Sequence, residues 1–309
     1  MTLTGLFVPL ITPFTDDGAV AVDALHDLAE QALIDGATGL VALGTTAETA
    51  MLTDDERASV TEVCTRVCRA HGAPLILGAG ANATAASMDA VAALDPSLAA
   101  ALAVVPYYVR PSEAGVIAHF THLAAVSPVP LIIYNIPYRT GRTLSADTLL
   151  RLAELPNVIG VKHAVGGIDD TTITLMSTRP TQFAVFAGDD LYASPLLALG
   201  ASGAIVASAV VATAPFADLV TAWHRGDSMR ARTIGHRLAG LTTALFAEPN
   251  PTVIKAVLAA QGRIPSPAVR LPLLPATESS LYTALAALKA FSAAGEQKSS
   301  GVLTAEMPR

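Results

Sequence analysis

The amino-acid sequence predicts an α/β fold, a (β/α)8 (TIM) barrel followed by a C-terminal helical extension. Short apolar segments alternate with amphipathic helical segments eight times, which is the pattern of a barrel of parallel strands. The chain has 309 residues, which is enough for one such barrel with additions. From about residue 214 onward the pattern is helical only, which predicts the extension.

Eight apolar runs are predicted to be the barrel strands. None of them contains a charged residue, as expected for parallel strands that are buried on both faces. The predicted strands are Gly5–Thr12, Gly39–Leu43, Pro74–Leu77, Ala101–Val105, Leu131–Tyr134, Val158–Val161, Phe183–Phe186 and Ala204–Ala207.

Helices are predicted between the strands, where apolar residues recur every three or four positions. Thr53, Ser112 and Ser145 are candidate N-caps, and Glu56 completes a capping box with Thr53. The predicted barrel helices are Asp23–Ile34, Thr53–Ala70, Thr84–Leu94, Ser112–Val126, Ser145–Leu155 and Thr171–Ser177.

Four further helices are predicted after the eighth strand. They lie near Pro215–His224, Ser228–Phe246, Pro251–Ala260 and Ser279–Ala293, and the first is the candidate eighth helix of the barrel. The predicted organisation is therefore a catalytic barrel over residues 1–225, a helical extension over 226–294 and a flexible tail over 295–309.

Composition narrows the range of partners. The net charge is −7 and no basic run occurs, so nucleic acid is not an expected partner. The uncharged segment Leu191–Ala217 is long enough to cross a bilayer, but two prolines and two glycines interrupt it. It is predicted instead to form a helix, a turn, a buried strand and the start of another helix, so no membrane partner is expected.

Cysteine and histidine spacing indicates no metal site. Cys64 and Cys68 lie four residues apart on a predicted helix, and two thiols make an incomplete zinc site. His119 and His122 share a helical face without an evident third ligand and are predicted to be solvated. Reduced thiols, and the lack of a signal-type segment after Met1, predict a cytoplasmic protein.

Lys162 is the most unusual residue in this pattern because it follows directly on the apolar run Val158–Val161. Apolar surroundings lower the pKa of an amine and leave part of it uncharged, so that it can attack a carbonyl carbon. Lys162 is therefore a candidate imine-forming residue. The alternative is a side chain that runs along the strand end and holds its ammonium group in solvent.

Polar residues at other strand ends fit imine chemistry, and the barrel fold brings strand ends together at its active-site face. They are Thr45, Thr46 and Glu48 after strand two, Tyr107 and Tyr108 after strand four, Tyr134 and Asn135 after strand five, and Asp189 and Asp190 after strand seven. Tyrosine can shuttle protons near an imine, and threonine hydroxyls with turn amides can bind the carboxylate of a 2-oxo acid. The two aspartates are predicted to orient a loop or cap a helix.

Five segments occur in a fixed order on these elements. They are Gly44–Thr49 (GTTAET), Pro106–Ser112 (PYYVRPS), Tyr134–Gly141 (YNIPYRTG), Gly160–Lys162 (GVK) and Glu248–Pro251 (EPNP). The first four resemble the GTTGES, PYYNRPS, YNVPSRTG and GIK motifs of the dihydrodipicolinate synthase / N-acetylneuraminate lyase family of class I aldolases. The fifth resembles a marker of the same family, and the resemblance extends from Gly5 to about Leu273.

The resemblance implies four catalytic residues. Lys162 forms a covalent imine with pyruvate, so that no separate cofactor is needed. Tyr134 transfers protons and positions the imine. Thr45 and Tyr108 complete a proton relay with Tyr134, and Tyr108 reaches into the site of a neighbouring subunit. The implied assembly is a homotetramer built from tight dimers.

The resemblance also implies the substrate-binding residues. Thr46, together with Thr45, holds the carboxylate of pyruvate. Arg139 matches the arginine that helps the synthases of the family to bind the carboxylate of a small aldehyde substrate. Gly188 and Ile205 form backbone or wall beside the pyruvate site.

Arg139 favours the synthase branch of the family, which condenses pyruvate with aspartate semialdehyde to 4-hydroxy-tetrahydrodipicolinate in lysine biosynthesis. Val109, Tyr138 and His163 depart from the family motifs and leave the aldehyde open. The alternatives are a related aldolase or dehydratase that acts on another aldehyde or a 2-keto-3-deoxy sugar acid, and a non-catalytic pyruvate-binding barrel. Ala86 stands where lysine-inhibited synthases carry glutamate, which predicts weak or absent inhibition by lysine.

Overall fold

The computed structural model describes residues 3–300, except for the side chains of residues 294–300. Eight parallel strands form one closed barrel in chain order, and the eighth strand pairs with the first. The strands are β1 (Gly5–Pro9), β2 (Gly39–Ala42), β3 (Leu75–Gly78), β4 (Ala100–Val104), β5 (Leu131–Asn135), β6 (Val158–His163), β7 (Ala184–Ala187) and β8 (Gly203–Ile205). All eight predicted strands and the predicted fold class are confirmed.

Helices follow each strand. The described α-helices are α1 (Val22–Ile34), α2 (Asp54–His71), α3 (Thr84–Ala92), α4 (Glu113–Val126), α5 (Pro137–Thr140), α6 (Ala146–Ala153), α7 (Asp170–Thr178), α8 (Ala193–Ala198), α9 (Thr213–His224), α10 (Ser228–Leu245), α11 (Thr252–Ala260) and α12 (Glu278–Ser300). The side chains of Thr53, Ser112 and Ser145 accept hydrogen bonds from the first turns of α2, α4 and α6, as predicted.

The apolar core has two layers, because successive residues of a strand face opposite sides of the barrel wall. Phe7, Val41, Ile132 and Phe186 are among the side chains that fill the barrel interior. The rings of Phe7 and Phe186 meet edge to face with their centres 5.6 Å apart. The residues between these positions pack outward against the helices.

The C-terminal extension begins where α9 ends. Helix α9 packs against β1, and α10 packs against α8, α9 and α12. Helix α12 extends to Ser300, and the rest of the tail predicted over 295–309 lies outside the described residues. None of the described helices combines the length and the apolar character that spanning a bilayer requires.

The segment Leu191–Ala217 folds as predicted. It forms α8, a turn, the strand β8 and, after a 3-10 turn over Ala207–Val210, the start of α9. Its strand is completely buried in the barrel wall. The apolar character of this segment therefore reflects burial inside the protein.

Candidate active site

Lys162 lies at the carboxyl-terminal end of β6, next to Tyr134 of β5. The two residues are partners in the parallel register of these strands. The Nζ atom of Lys162 lies 4.3 Å from the centre of the Tyr134 ring. Only 6% of the Lys162 surface is exposed, so the alternative of a solvated ammonium group at the strand end is wrong.

Burial changes the acidity of both groups. Desolvation lowers the pKa of Lys162 to about 8, although the carboxylates of Asp190 and Asp189 oppose this shift. Desolvation raises the pKa of Tyr134 to about 12, although a hydrogen bond with Thr45 opposes that shift. Near neutral pH, part of the amine is therefore uncharged while the phenol keeps its proton.

The loop after β2 presents Thr45 and Thr46 to the same place. Thr45–Ala47 form a 3-10 turn, and Leu43 (φ 53°) and Glu48 (φ 55°) flank the loop in the left-handed conformation. Thr12, three residues after the end of β1, holds this turn by donating from Oγ1 to the carbonyl oxygen of Ala47 at 2.8 Å. Residues other than glycine rarely adopt the left-handed backbone conformation, so the backbone is constrained at both ends of the loop.

These residues line one small cavity at the carboxyl-terminal face of the barrel. Six of the eight predicted site residues contribute to it, namely Lys162, Tyr134, Thr45, Thr46, Arg139 and Gly188. Tyr138, Asp189, Asp190, Ala207, Phe246 and Asn250 complete the lining. A lysine amine, a phenol and two threonine hydroxyls thus converge where a small carbonyl compound can bind.

The other two predicted residues lie outside this cavity. Tyr108 follows β4 and is 87% exposed on the surface of the single chain. Ile205 is buried in the apolar interior of the barrel, at the end of β8. Neither residue contacts the cavity within one chain, whereas the resemblance assigned Tyr108 to a neighbouring subunit.

Gly188 gives Lys162 its space. A Cβ atom at position 188 would lie 2.8 Å from Cγ of Lys162 and 3.0 Å from Cβ of Ala164. The backbone N–H of Gly188 donates to the carbonyl oxygen of His163 at 2.9 Å. A side chain at this position would therefore displace the stem of Lys162.

The two aspartates after β7 hold neighbouring loops. Asp190 is buried and accepts hydrogen bonds from the backbone N–H groups of Ala207 and Ser208, and burial raises its pKa to about 6. Asp189 accepts from the backbone N–H of Gly166 at 2.6 Å. The predicted role in loop orientation is thus confirmed, and both carboxylates also act electrostatically on Lys162.

Arg139 lies on the short helix α5 at the mouth of the cavity. Its Nε donates to the hydroxyl of Tyr138 at 2.9 Å, and its guanidinium group lies 5.1 Å from the centre of the Tyr138 ring. This hydrogen bond uses only Nε. The two terminal nitrogens of Arg139, through which an arginine can bind a carboxylate, take no part in it. Asn250 and Phe246, from the C-terminal extension, were not predicted as cavity residues, although Asn250 lies in the EPNP segment.

The histidines fall into two groups. His163 faces away from the cavity, as expected for the residue that follows Lys162 on a strand, and its Nε2 lies 3.0 Å from Oγ1 of Thr172 on α7. The prediction that His119 is solvated is wrong: it is buried between α3 and α4, with Nδ1 3.0 Å from Oγ1 of Thr84. His122 is exposed, as predicted. The described residues contain no cluster of three potential metal ligands.

The barrel fold and this lysine-centred cavity define an enzyme of the class I aldolase type. Residues 2–291 match the model of the dihydrodipicolinate synthetase family. The chain belongs to this family.

Relatives and solved structures agree with this assignment. The chain is 40% identical over 289 residues to 4-hydroxy-tetrahydrodipicolinate synthase of Neisseria meningitidis strain MC58, covering 93% of this chain and 98% of the relative. It is 40% identical to the enzyme of that name from Thermosynechococcus vestitus, covering 87% and 91%. The pyruvate complex of a chloride-inhibited dihydrodipicolinate synthase from Acinetobacter baumannii has 35% identity and a TM-score of 0.90, covering 94% and 99%.

Proposed function

We propose that this protein is a 4-hydroxy-tetrahydrodipicolinate synthase that condenses pyruvate with aspartate semialdehyde through an imine on Lys162. The buried amine of Lys162 above the ring of Tyr134 carries this proposal. The names of its relatives, which match nearly the whole chain, support the same activity.

Pyruvate reacts first. The uncharged amine of Lys162 attacks C2 of pyruvate and forms a carbinolamine, which loses one water molecule to give a protonated imine. The hydroxyl groups of Thr45 and Thr46, with the amides of the turn between β2 and α2, bind the carboxylate of pyruvate. The A. baumannii relative was crystallised with pyruvate, which supports this substrate.

Tyr134 is suited to the proton transfers. Its phenol keeps a proton at neutral pH because its pKa is raised, so it can protonate the leaving hydroxyl of the carbinolamine. The imine then withdraws electrons, and the phenolate of Tyr134 left by this transfer takes a proton from C3 of pyruvate, which gives an enamine. Tyr108 of a neighbouring subunit completes the relay in a homotetramer of tight dimers.

The enamine attacks the aldehyde carbon of the second substrate and forms the new carbon–carbon bond. Arg139 at the mouth of the cavity binds the carboxylate of aspartate semialdehyde through its terminal nitrogens. The amino group of this substrate then replaces Lys162 at the imine carbon, which closes the product ring and frees the lysine.

The second candidate function is the condensation of pyruvate with another aldehyde. Tyr138 favours it, because this residue accepts a hydrogen bond from Nε of Arg139 and lines the cavity beside it. A panel of aldehydes tested with pyruvate distinguishes the two. Aspartate semialdehyde is expected to give the highest kcat/KM, and a higher value for a neutral aldehyde or a sugar-derived aldehyde would favour the second candidate.

Reductive trapping tests the chemistry. The protein is incubated with pyruvate and then with borohydride, and peptide mass spectrometry locates the adduct. We expect one adduct per chain, on Lys162, and none in Lys162→Met. An adduct on another lysine, or no adduct, would refute the imine mechanism.

A further inference from the structure

The C-terminal extension holds the loop after β2 through buried polar contacts. Lys255 of α11 has no exposed side-chain surface, and its Nζ lies 2.7 Å from Oε1 of Glu48. The other carboxylate oxygen of Glu48 accepts from the backbone N–H of Arg270 at 2.8 Å. These contacts join residues that lie more than two hundred positions apart in the chain.

A second contact lies beside the first. Asn250 donates from Nδ2 to Oγ1 of Thr46 at 3.0 Å. Because Oγ1 accepts this hydrogen bond, the hydroxyl proton of Thr46 stays available to donate to a ligand in the cavity. The contact therefore selects the orientation that a carboxylate needs.

The ion pair acts on a strained part of the loop. Glu48 directly follows the turn Thr45–Ala47, and it adopts the left-handed conformation with φ 55°. Such a conformation in a residue other than glycine persists where the surroundings impose it. Burial of the Glu48 side chain against Lys255 and Arg270 supplies that constraint.

The cation of the pair is itself held on several sides. Nζ of Lys255 lies 4.0 Å from the centre of the Phe14 ring, and the guanidinium group of Arg270 lies 4.4 Å from the same ring. Arg270 also donates to both carboxylate oxygens of Glu56 at the start of α2. The loop is thus enclosed between α2 and the C-terminal extension.

Stability alone does not explain a charged pair at this position. Desolvation of two buried charges offsets most of their attraction, and apolar pairs of similar volume are often at least as stable. A buried ion pair does, however, require one particular geometry. That requirement falls one residue after the turn that presents Thr45 and Thr46.

We propose that Glu48 and Lys255 are positioning residues that set the Thr45–Ala47 turn so that the site can bind the carboxylate of a 2-oxo acid. The inference rests on the proposed function, in which Thr45 and Thr46 bind this carboxylate. The C-terminal extension is on this view part of substrate recognition, although neither Glu48 nor Lys255 lines the cavity.

Trapping on Lys162 with two carbonyl compounds tests the proposal. Pyruvate carries a carboxylate, and acetone does not. In the double variant Glu48→Gln with Lys255→Met, which leaves no unpaired buried charge, we expect half-saturating pyruvate to rise about tenfold or more. Maximal labelling with pyruvate, and the rate of labelling with acetone, should stay at wild-type values.

Control variants keep the result interpretable. Glu48→Gln alone keeps the shape of the side chain and an acceptor for the Arg270 N–H, and should move half-saturating pyruvate in the same direction. Arg230→Met breaks an exposed ion pair with Asp218 and should change neither probe. If the double variant does not fold, the neutral pair Glu48→Gln with Lys255→Gln, for which the same result is expected, is measured in its place.

Equal loss of labelling with both compounds would overturn the proposal, because it would indicate general damage to the site. Unchanged half-saturation with pyruvate in both variants would overturn it as well. The wild-type protein tests the proposed function separately: if it traps no pyruvate on Lys162, both the function and this inference are wrong.

Discussion

Lys162 combines nearly complete burial with a strand-end position. An amine on the protein surface would be almost fully charged at neutral pH, because its pKa is near 10.4. Here desolvation outweighs the attraction of Asp189 and Asp190, and the pKa falls to about 8. At neutral pH a larger fraction of this amine is therefore uncharged than of a surface lysine, and only the uncharged form attacks a carbonyl carbon.

The pH dependence of imine formation should reflect this shift. The rate of adduct formation, measured by mixing with pyruvate at each pH and quenching into borohydride at one fixed pH, should rise with a midpoint near pH 8. Only the uncharged amine attacks pyruvate, so the rate rises as pH rises.

In Asp190→Asn the midpoint should move to lower pH, because a carboxylate that raises the pKa of Lys162 is lost. Asp218→Asn, at an exposed site, should leave the midpoint unchanged. An Asp190→Asn midpoint at or above the wild-type value would contradict this account.

Gly188 is expected to be required for the position of Lys162. In Gly188→Ala the new Cβ would meet Cγ of Lys162 at 2.8 Å, so the lysine stem, and with it the amine, must move from its present position. A displacement of about 1 Å can cost about a hundredfold in rate, and we expect trapping of pyruvate to slow by about this factor.

Gly167→Ala is the matched control for this substitution. Within the described structure a Cβ at Gly167 would meet no heavy atom within 4 Å, and Gly167 is not among the glycines with positive φ. Trapping should proceed at the wild-type rate in this variant. Similar rates for Gly188→Ala and the wild type would show that the lysine stem adapts.

At the scale of elements, a buried chain of hydrogen bonds links β5, β6 and α7. Thr172 donates from Oγ1 to Asp169 at 2.6 Å, so its oxygen accepts from Nε2 of His163 at 3.0 Å. Nδ1 of His163 then accepts from the amide of Asn135, its partner in the strand register, at 3.3 Å. Burial lowers the pKa of His163 to about 4, which favours the neutral ring that this chain requires.

Thr172→Val should therefore destabilise the protein. It leaves Nε2 of the buried His163 without an acceptor and removes one hydrogen bond from the Asp169 cap of α7. The expected loss is about 1–3 kcal/mol in the free energy of unfolding, measured by urea denaturation. Thr174→Val, at an exposed position of the same helix, should change this free energy by less than about 0.5 kcal/mol. Equal stability of the two variants would mean that the chain makes no net contribution.

Helix α3 bears on regulation by lysine. Ala86 lies exposed on α3 and offers no carboxylate to an amino acid ligand. We therefore expect no half-inhibition of the initial rate by L-lysine below about 1 mM, which corresponds to weak binding. Half-inhibition at a lower concentration would show that other residues form a lysine site.

Local signals explain why so much of the element order could be predicted. The N-caps Thr53, Ser112 and Ser145 each accept a hydrogen bond from the residue three positions further along the chain, so each signal lies within four consecutive residues of the sequence. The sequence predicts a turn at Thr45–Thr46 but not its 3-10 form, and it does not predict the four-residue helix α5, because both elements are too short to have a periodicity.

Contacts between distant residues explain what the sequence could not show about the site. Glu48 and Lys255 are 207 positions apart, and no local pattern marks them as an ion pair. His119 is predicted to be solvated because no third metal ligand is evident beside it and His122, whereas it is buried and contacts Thr84 of the neighbouring helix α3. Lys162 could be predicted because the barrel fold alone places strand ends at the active-site face.

At the scale of the whole molecule, the loop after β4 presents an unusual apolar surface. Tyr108 is 87% exposed, Val109 57% and Tyr107 41%. Tyr108 and Arg110 have positive φ angles of 70° and 46°, so this loop is held in a constrained conformation. Exposed aromatic residues on a constrained loop are typical of a surface that another protein chain covers. These features agree with a dimer in which Tyr108 contributes to the site of the partner.

Subunit mixing should show whether Tyr108 acts in the neighbouring site. Lys162→Met and Tyr108→Phe should each lower activity strongly in homogeneous assemblies. A mixed dimer of the two contains one site with a native Lys162 and, from the partner, a native Tyr108, because the two subunits of a symmetric dimer exchange the same residues. Isolated mixed dimers, purified with two different tags, should therefore recover about half of the wild-type activity.

The control is a mixed dimer of Lys162→Met and Tyr134→Phe. The two altered residues line the same cavity within one chain, so neither site of this dimer is complete. Recovery in the first pair alone would place Tyr108 in the neighbouring site, and recovery in neither pair would confine its action to its own chain.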